Sequence, residues 1–223
     1  MKNTQSLSGS PPLPDWTACP RSRSGDPPWE VALLFPAQGQ WSEAEYLSLQ
    51  NRTNRLVEFS DGCIEVLPMP SPFHQRIVKY LFRLLETIVL GLGSGEVLFA
   101  PLPVRLGTGK YRDPDIVYLR PGRISDPRHQ PNGADLAIEV VSDDDDDRRR
   151  DLVTKRDEYA RAGIAEYWIV DPREHRVTVL WLVGQAYAVH GEFGHGTVAT
   201  SRLLAGFHVT VDDLFAAGRG ESP

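Results

Sequence analysis

Leu136-Ala137-Ile138-Glu139-Val140-Val141 is a nearly continuous apolar run of strand length, the pattern of a strand buried on both faces at the centre of a sheet. One acid interrupts it. An unpaired ionised carboxylate at Glu139 would cost several kcal/mol if buried, so the fold has to bring a cation to it. Towards the N-terminus, Pro114-Asp115 leads into a second apolar strand, Ile116-Val117-Tyr118-Leu119. Pro114 biases Asp113 to extended geometry, and the strand then fixes the direction of Asp115. A Pro/Gly-rich loop at 120–133 joins the two strands. Towards the C-terminus, residues 149–162 read as a helix ended by Gly163, and Glu166 to Val170 pairs with Arg176 to Leu182 around the turn Asp171-Pro172.

Further out, Ser71-Pro72 supplies an N-cap and an N1 proline. Ile77, Leu81, Leu84, Leu85 and Ile88 then recur at helical spacing until Gly91. Arg55 to Phe59 and Cys63 to Leu67 flank Asp61-Gly62, a strong hairpin signal. Ser42 and Glu45 form a capping box for a short helix through about Leu49, and Trp29 to Phe35 is a short apolar run. Extended segments are expected at about 96–106, and short strands with a terminal turn or helix after 182. Residues 1–28 hold six of the 18 prolines and almost no aliphatic pattern, which reads as a disordered arm. The order of elements predicts an α/β or α+β domain with a mixed sheet, spanning about 29–217, followed by a flexible tail at 218–223.

The chain has 223 residues, 24 basic and 30 acidic, for a net charge of -6. That length suits one domain with peripheral sequence. No global basic field advertises nucleic acid, although a local basic rim on an acidic protein is compatible with it. No apolar run reaches the roughly 18 to 20 residues of a membrane span and no signal-peptide core is present, so a cytoplasmic protein is the default expectation. Cys19 and Cys63 stand far apart without ligand spacing, which excludes a disulfide framework and gives no support to structural zinc. The phosphate-cradling GxxxxGK[ST], the dinucleotide GxGxxG and the nucleophile elbow GxSxG are all missing, so kinase, dehydrogenase and serine-hydrolase readings have no anchor.

Two carboxylates on neighbouring strands, Asp115 and Glu139, would repel each other unless a divalent metal held both ionised, and hard oxygen ligands suit Mg²⁺ or Mn²⁺. Lys155 falls in the stripe of Leu152, Tyr159 and Ala162, with its ammonium aimed inward from an apolar wall. Taken singly, each has a blander reading. Asp115 is a strand-start cap, Glu139 the partner of a buried arginine, and Lys155 a snorkelling helix lysine. Tyr159, Tyr167 and Trp168 read as core packing. The run Asp143 to Asp147 reads as a solvated loop, and Arg148 to Arg150 as candidate contacts to DNA phosphates.

In their order, LVEFSDGCIEVLPMPSPFHQRIVKYLFRLLE, RDPDIVYL, DLAIEVVSD and DLVTKRDEYARAGIAEYWIVDP resemble the PD-(D/E)xK restriction-endonuclease-like superfamily, and within it the Uma-type restriction endonuclease family. The resemblance covers residues 56–172, with weaker agreement near LLAGFHVTVDDLFA. It implies a restriction-endonuclease-like core and Mg²⁺-dependent hydrolysis of DNA phosphodiesters. Asp115 and Glu139 would be the metal ligands, and Lys155 would orient the attacking water. Val141 stands where (D/E)xK would put lysine, and the Uma-type pattern moves that lysine to the following helix, where Lys155 matches. His74 matches a further site position, Glu58 or Glu65 would line the site, and Asp151 is the acid one turn before the lysine. Homodimerisation is an analogy with nucleases that cut two strands. The rival from another class is a catalytically inactive module of the same fold that binds DNA or a protein; a hydrolase of smaller phosphate esters is a third reading.

Overall fold

The apolar run at 136–141 forms a strand in the interior of a six-stranded sheet. The computed structural model describes residues 35–142 and 145–221, apart from the side chains of 146 and 147. The chain divides into two units, Met1–Ala37 and Gln38–Pro223. Of the first unit only residues 35–37 are described, without helix or strand. The proline-rich arm expected at 1–28 and all but the last residue of the run Trp29 to Phe35 lie outside the described residues.

The second unit begins with α1 (Glu43–Gln50), β1 (Val57–Ser60), β2 (Cys63–Val66) and α2 (Pro72–Leu92). Then come β3 (Glu96–Phe99), β4 (Val104–Gly107), β5 (Lys110–Arg112), β6 (Ile116–Leu119) and β7 (Leu136–Val140). A helical segment follows in three parts, α3 (Asp145–Arg149), a π-helical turn (Arg150–Thr154) and α4 (Lys155–Arg161). The chain continues through β8 (Glu166–Asp171), β9 (Arg176–Val183), β10 (Ala186–Phe193), β11 (Val198–Thr200), β12 (His208–Thr210) and α5 (Val211–Arg219). The residues read as the start of a tail, 218 and 219, complete α5, which closes on Gly220 in the left-handed region.

The large sheet has the order β10-β9-β8-β7-β6-β3, and β7 and β8 are its parallel pair while the other neighbours run antiparallel. A parallel pair needs a crossover, and the α3 to α4 segment supplies it. A second sheet, β2-β1-β5-β4, includes the hairpin turned by Asp61-Gly62, with φ of 51° and 81° and Ser60 paired to Cys63. This is the mixed-sheet α/β class that the sequence predicts.

Alternation along β7 sets the two faces of the large sheet. Leu136, Ile138 and Val140 join a core with Ile77, Leu81 and Leu85 of α2 and Leu214 and Phe215 of α5. Ala137 and Val141 join the opposite core with Tyr159, Ala160 and Ile164. Burying each large aliphatic side chain of α2 contributes about 1.5–3 kcal/mol, so α2 is held by its stripe as well as by its Ser71 cap. Glu139 falls between Ala137 and Val141 in the alternation, and therefore faces the α4 side. Among the described residues no helix is long and apolar enough to cross a membrane.

Candidate functional site

Strand register brings the two expected carboxylates together. β6 and β7 pair antiparallel with Ile116 opposite Ile138, and one residue further the same register sets Asp115 across from Glu139. The Asp115 Oδ2 accepts the Val140 N–H at 2.7 Å and lies 3.2 Å from Nε2 of His74, in the first turn of α2. Asp115 is thus fixed by backbone on one side and by a helix on the other. Glu139 is 4% exposed, and its Oε1 accepts hydrogen bonds from Nζ of Lys155 at 2.9 Å and the hydroxyl of Tyr159 at 2.5 Å.

Lys155 is the cation that the buried glutamate required. Its ammonium also lies 3.2 Å from Asp151 Oδ1 and 3.3 Å from Glu58 Oε1. The π-helical turn immediately before it closes through the Lys155 N–H bonded to the carbonyl of Arg150, and it leaves both Asp151 and Lys155 facing inward and buried. Such single π turns recur at functional sites.

Around this centre a second set of charges holds the walls. Arg112 forks onto Glu158 through Nε at 2.7 Å and Nη2 at 3.0 Å, and its Nη1 reaches Glu58 at 2.7 Å and Glu65 at 3.1 Å. One buried guanidinium thereby ties the β1–β2 hairpin to α4. Glu58 further accepts the Asp113 N–H at 3.1 Å, and Asp113 accepts the N–H of Leu102. Of the arginines expected to face phosphates, Arg148 is forked onto Asp171 at 2.8 and 2.7 Å and Arg150 reaches Glu65 at 2.8 Å. Both are engaged with carboxylates.

The protonation pattern reports a local shortage of positive charge. Burial drives the Glu58 carboxyl up, but Lys155 and Arg112 outweigh it and leave its pKa at about 2. Burial pushes Glu139 up to about 8 against the pull of Lys155, with Asp151, Asp115 and Glu58 adding to the rise. Asp113 is likewise pushed up to about 7 by burial, and Asp151 is raised for the same reason. Lys155, despite its burial, is held charged by Asp151, Glu139 and Glu58. Burial opposes charge on His74 too, yet its hydrogen bond to the Asp115 carboxylate raises its pKa.

This donor set fits a hard divalent cation. The described hydrogen bonds to Asp115 and Glu139 use Oδ2 and Oε1, leaving Oδ1 and Oε2 uncommitted. Both residues line a cavity of about 390 Å³ together with His74, Asp113, Asp151 and Lys155. Among the described residues no three His, Cys, Asp or Glu side chains converge in a ready-made cage. Mg²⁺ habitually binds through one or two carboxylates and keeps several waters, so two donors suffice. A wider cleft of about 890 Å³ adjoins this cavity and shares His74, Val140, Ser142 and the 67–70 loop with it.

Sequence reasoning named Asp115, Glu139, Lys155, His74, Glu58, Glu65 and Asp151, and these lie in one cluster. It assigned no site role to Tyr159 or Arg112. A tyrosine on an apolar helix face needs a partner for its hydroxyl, and that was the available signal for Tyr159. For Arg112 the signal was an arginine leading into an acidic strand start.

The model of the family Uma2, described as "Putative restriction endonuclease", matches residues 43–212. No curated protein matches the chain. A solved structure from Anabaena variabilis ATCC 29413, described as "a putative nuclease belonging to DUF820", superposes with a TM-score of 0.63 at 23% identity. The likeness covers 82% of this chain and 99% of that one. At such identity it speaks to the fold, which the two chains share.

Proposed function

The chain belongs to the Uma2 family, and from that premise we propose that it is a metal-dependent endonuclease hydrolysing DNA phosphodiester bonds at the Asp115, Glu139 and Lys155 cluster. The observation that carries this reading is the facing of Asp115 and Glu139 across two strands, both lining the same cavity, with Lys155 hydrogen-bonded to the second acid.

When bound, Mg²⁺ or Mn²⁺ would polarise the scissile phosphate and lower the pKa of the attacking water. Asp115 and Glu139 would hold it. The Val140 N–H and His74 keep Asp115 in a single orientation, and the Tyr159 hydroxyl does the same for Glu139. Lys155 is charged, buried and anchored on three sides, which suits it to orient the nucleophile and to offset charge building on the phosphoryl oxygens. Burial of this cluster strengthens each of those interactions relative to water.

The second reading is a non-catalytic module of the same fold. One observation favours it: Lys155 and Tyr159 already occupy Oε1 of Glu139, so the cluster is self-satisfied on that side. Incubation of supercoiled plasmid and single-stranded DNA with wild-type protein in Mg²⁺, Mn²⁺ or EDTA separates the two. Nicking that requires the metal supports the endonuclease. Intact DNA in all three conditions, with a cooperative thermal melt showing folded protein, would favour the module.

A further inference from the structure

Helix α2 carries its charges against its own interest. Arg76, Lys79 and Arg83 lie beyond its first turn, that turn holds no acid, and Glu86 is its one carboxylate. Lys79 and Arg83 stand at i, i+4, where like charges repel, so helix stability does not account for them. None of the three makes an ion pair within the described residues, whereas Arg112, Arg148 and Arg150 do. Arg76 makes a long contact of 3.5 Å to the carbonyl of Gly218, and all three side chains are exposed.

Helical spacing puts them on one face, opposite the buried stripe of Ile77, Leu81 and Leu85. They line a shallow cavity of about 610 Å³ between α2 and α5. Its one acid, Glu221, is already forked onto Arg219 at 2.9 and 2.8 Å, and so does not neutralise them. The same helix begins at the candidate site, where His74 meets Asp115. From Arg76 to Arg83 the axis rises about 10 Å at 1.5 Å per residue, roughly the span of three nucleotides of one strand at 3.4 Å each.

We infer that the Arg76, Lys79 and Arg83 face of α2 is a track for the phosphate backbone of duplex DNA, leading away from the Asp115 and Glu139 cavity. This rests on the endonuclease reading and adds where the substrate lies outside the reacting phosphate. It also reconciles a net charge of -6 with a polyanionic substrate, because three cations that make no ion pair among the described residues share one helix face.

The test is fluorescence anisotropy with a labelled 25-base-pair duplex of mixed sequence, using the full chain in EDTA to prevent cleavage, between 50 and 200 mM KCl. Three phosphate contacts contribute about 2.7 to the slope of log Kd against log salt. The triple variant R76E/K79E/R83E is expected to weaken binding at least tenfold at 50 mM and to lower the slope by about that amount. R76K/R83K should keep the slope, since charge rather than fork geometry is at work. Arg83→Glu alone, should the triple variant melt early, is expected to lower the slope by about 0.9. Wild-type binding with an unaltered slope in the Glu variants would overturn the track and leave the endonuclease reading standing. A wild-type chain that does not bind duplex DNA would remove both.

Discussion

Lys155 lies among Glu139, Asp151 and Glu58, all buried, so its removal strands negative charge in a low-dielectric site. Breaking such a cluster by losing one partner costs about 3–5 kcal/mol. Lys155→Met should therefore lower the metal-free unfolding free energy by about that amount, and added Mn²⁺ should restore part of it by supplying the missing charge. A urea melt identical to wild type in EDTA would place the ammonium in solvent. Tyr159→Phe removes only the hydroxyl that donates to Glu139. The expected outcome is a stability loss of about 1–3 kcal/mol and a Mn²⁺ affinity reduced about 10–100-fold in a calorimetric titration, the range for groups that orient a ligand. An unchanged isotherm would return Tyr159 to core packing. Asp115, Glu139 and Lys155 were legible as a set because each violates the local expectation of its strand or helix. Tyr159 was not, since an aromatic at an apolar helical position satisfies the core pattern whether or not its hydroxyl has work to do.

Two elements carry predictions of their own. In the β1–β2 hairpin, Gly62 has φ of 81°, and a Cβ there would come within 2.7 Å of the carbonyl oxygen of Gly39. That carbonyl belongs to backbone already fixed by the Gly39 N–H bond to Gly62 at 2.8 Å, so nothing cheap can move. Gly62→Ala is expected to cost about 1–3 kcal/mol, read as a shift of the thermal midpoint. At the β8–β9 turn, Asp171 accepts the Arg148 fork and the N–H groups of Arg173 and Glu174. Burial raises its pKa, but Arg148 and the Glu174 N–H outweigh burial and hold the carboxyl below its usual range. A carboxyl depressed in the folded state stabilises above its unfolded pKa of about 3.9, and that stabilisation is lost as pH falls through the folded value. Asp171→Asn should thus destabilise the protein at neutral pH by about 1–3 kcal/mol, with the deficit shrinking as pH drops below 4. A deficit constant from pH 7 to 3 would contradict the assignment. The Asp-Gly turn, the Ser42–Glu45 capping box, the Ser71 cap and the central strand were legible because local chemistry decides them. The π turn at 150–154 was not, since Asp151 and Lys155 share a helix face in the α register too, and the choice is made by packing against β7 and the β1–β2 hairpin.

At the scale of the whole molecule, the site is a meeting of four segments distant in sequence: the β1–β2 hairpin, the start of α2, the β6–β7 pair and the crossover segment before β8. Sequence order alone could place the members in a family pattern, but their convergence depends on the antiparallel register of β6 with β7 and on Arg112 drawing the hairpin to α4. The free oxygens of Asp115 and Glu139 make one claim about function that their neighbours cannot imitate: both acids must be needed, and only with a divalent metal present. Its most direct test is the single-turnover rate of plasmid nicking by wild type, Asp115→Ala and Glu139→Ala, at matched protein and a series of Mn²⁺ concentrations. The expected outcome is a rate that saturates with Mn²⁺ for wild type and falls at least 1,000-fold in either variant, about 4 kcal/mol of lost transition-state stabilisation, with the thermal melts still cooperative. Nicking by both variants at the wild-type rate and with the same metal dependence would contradict it.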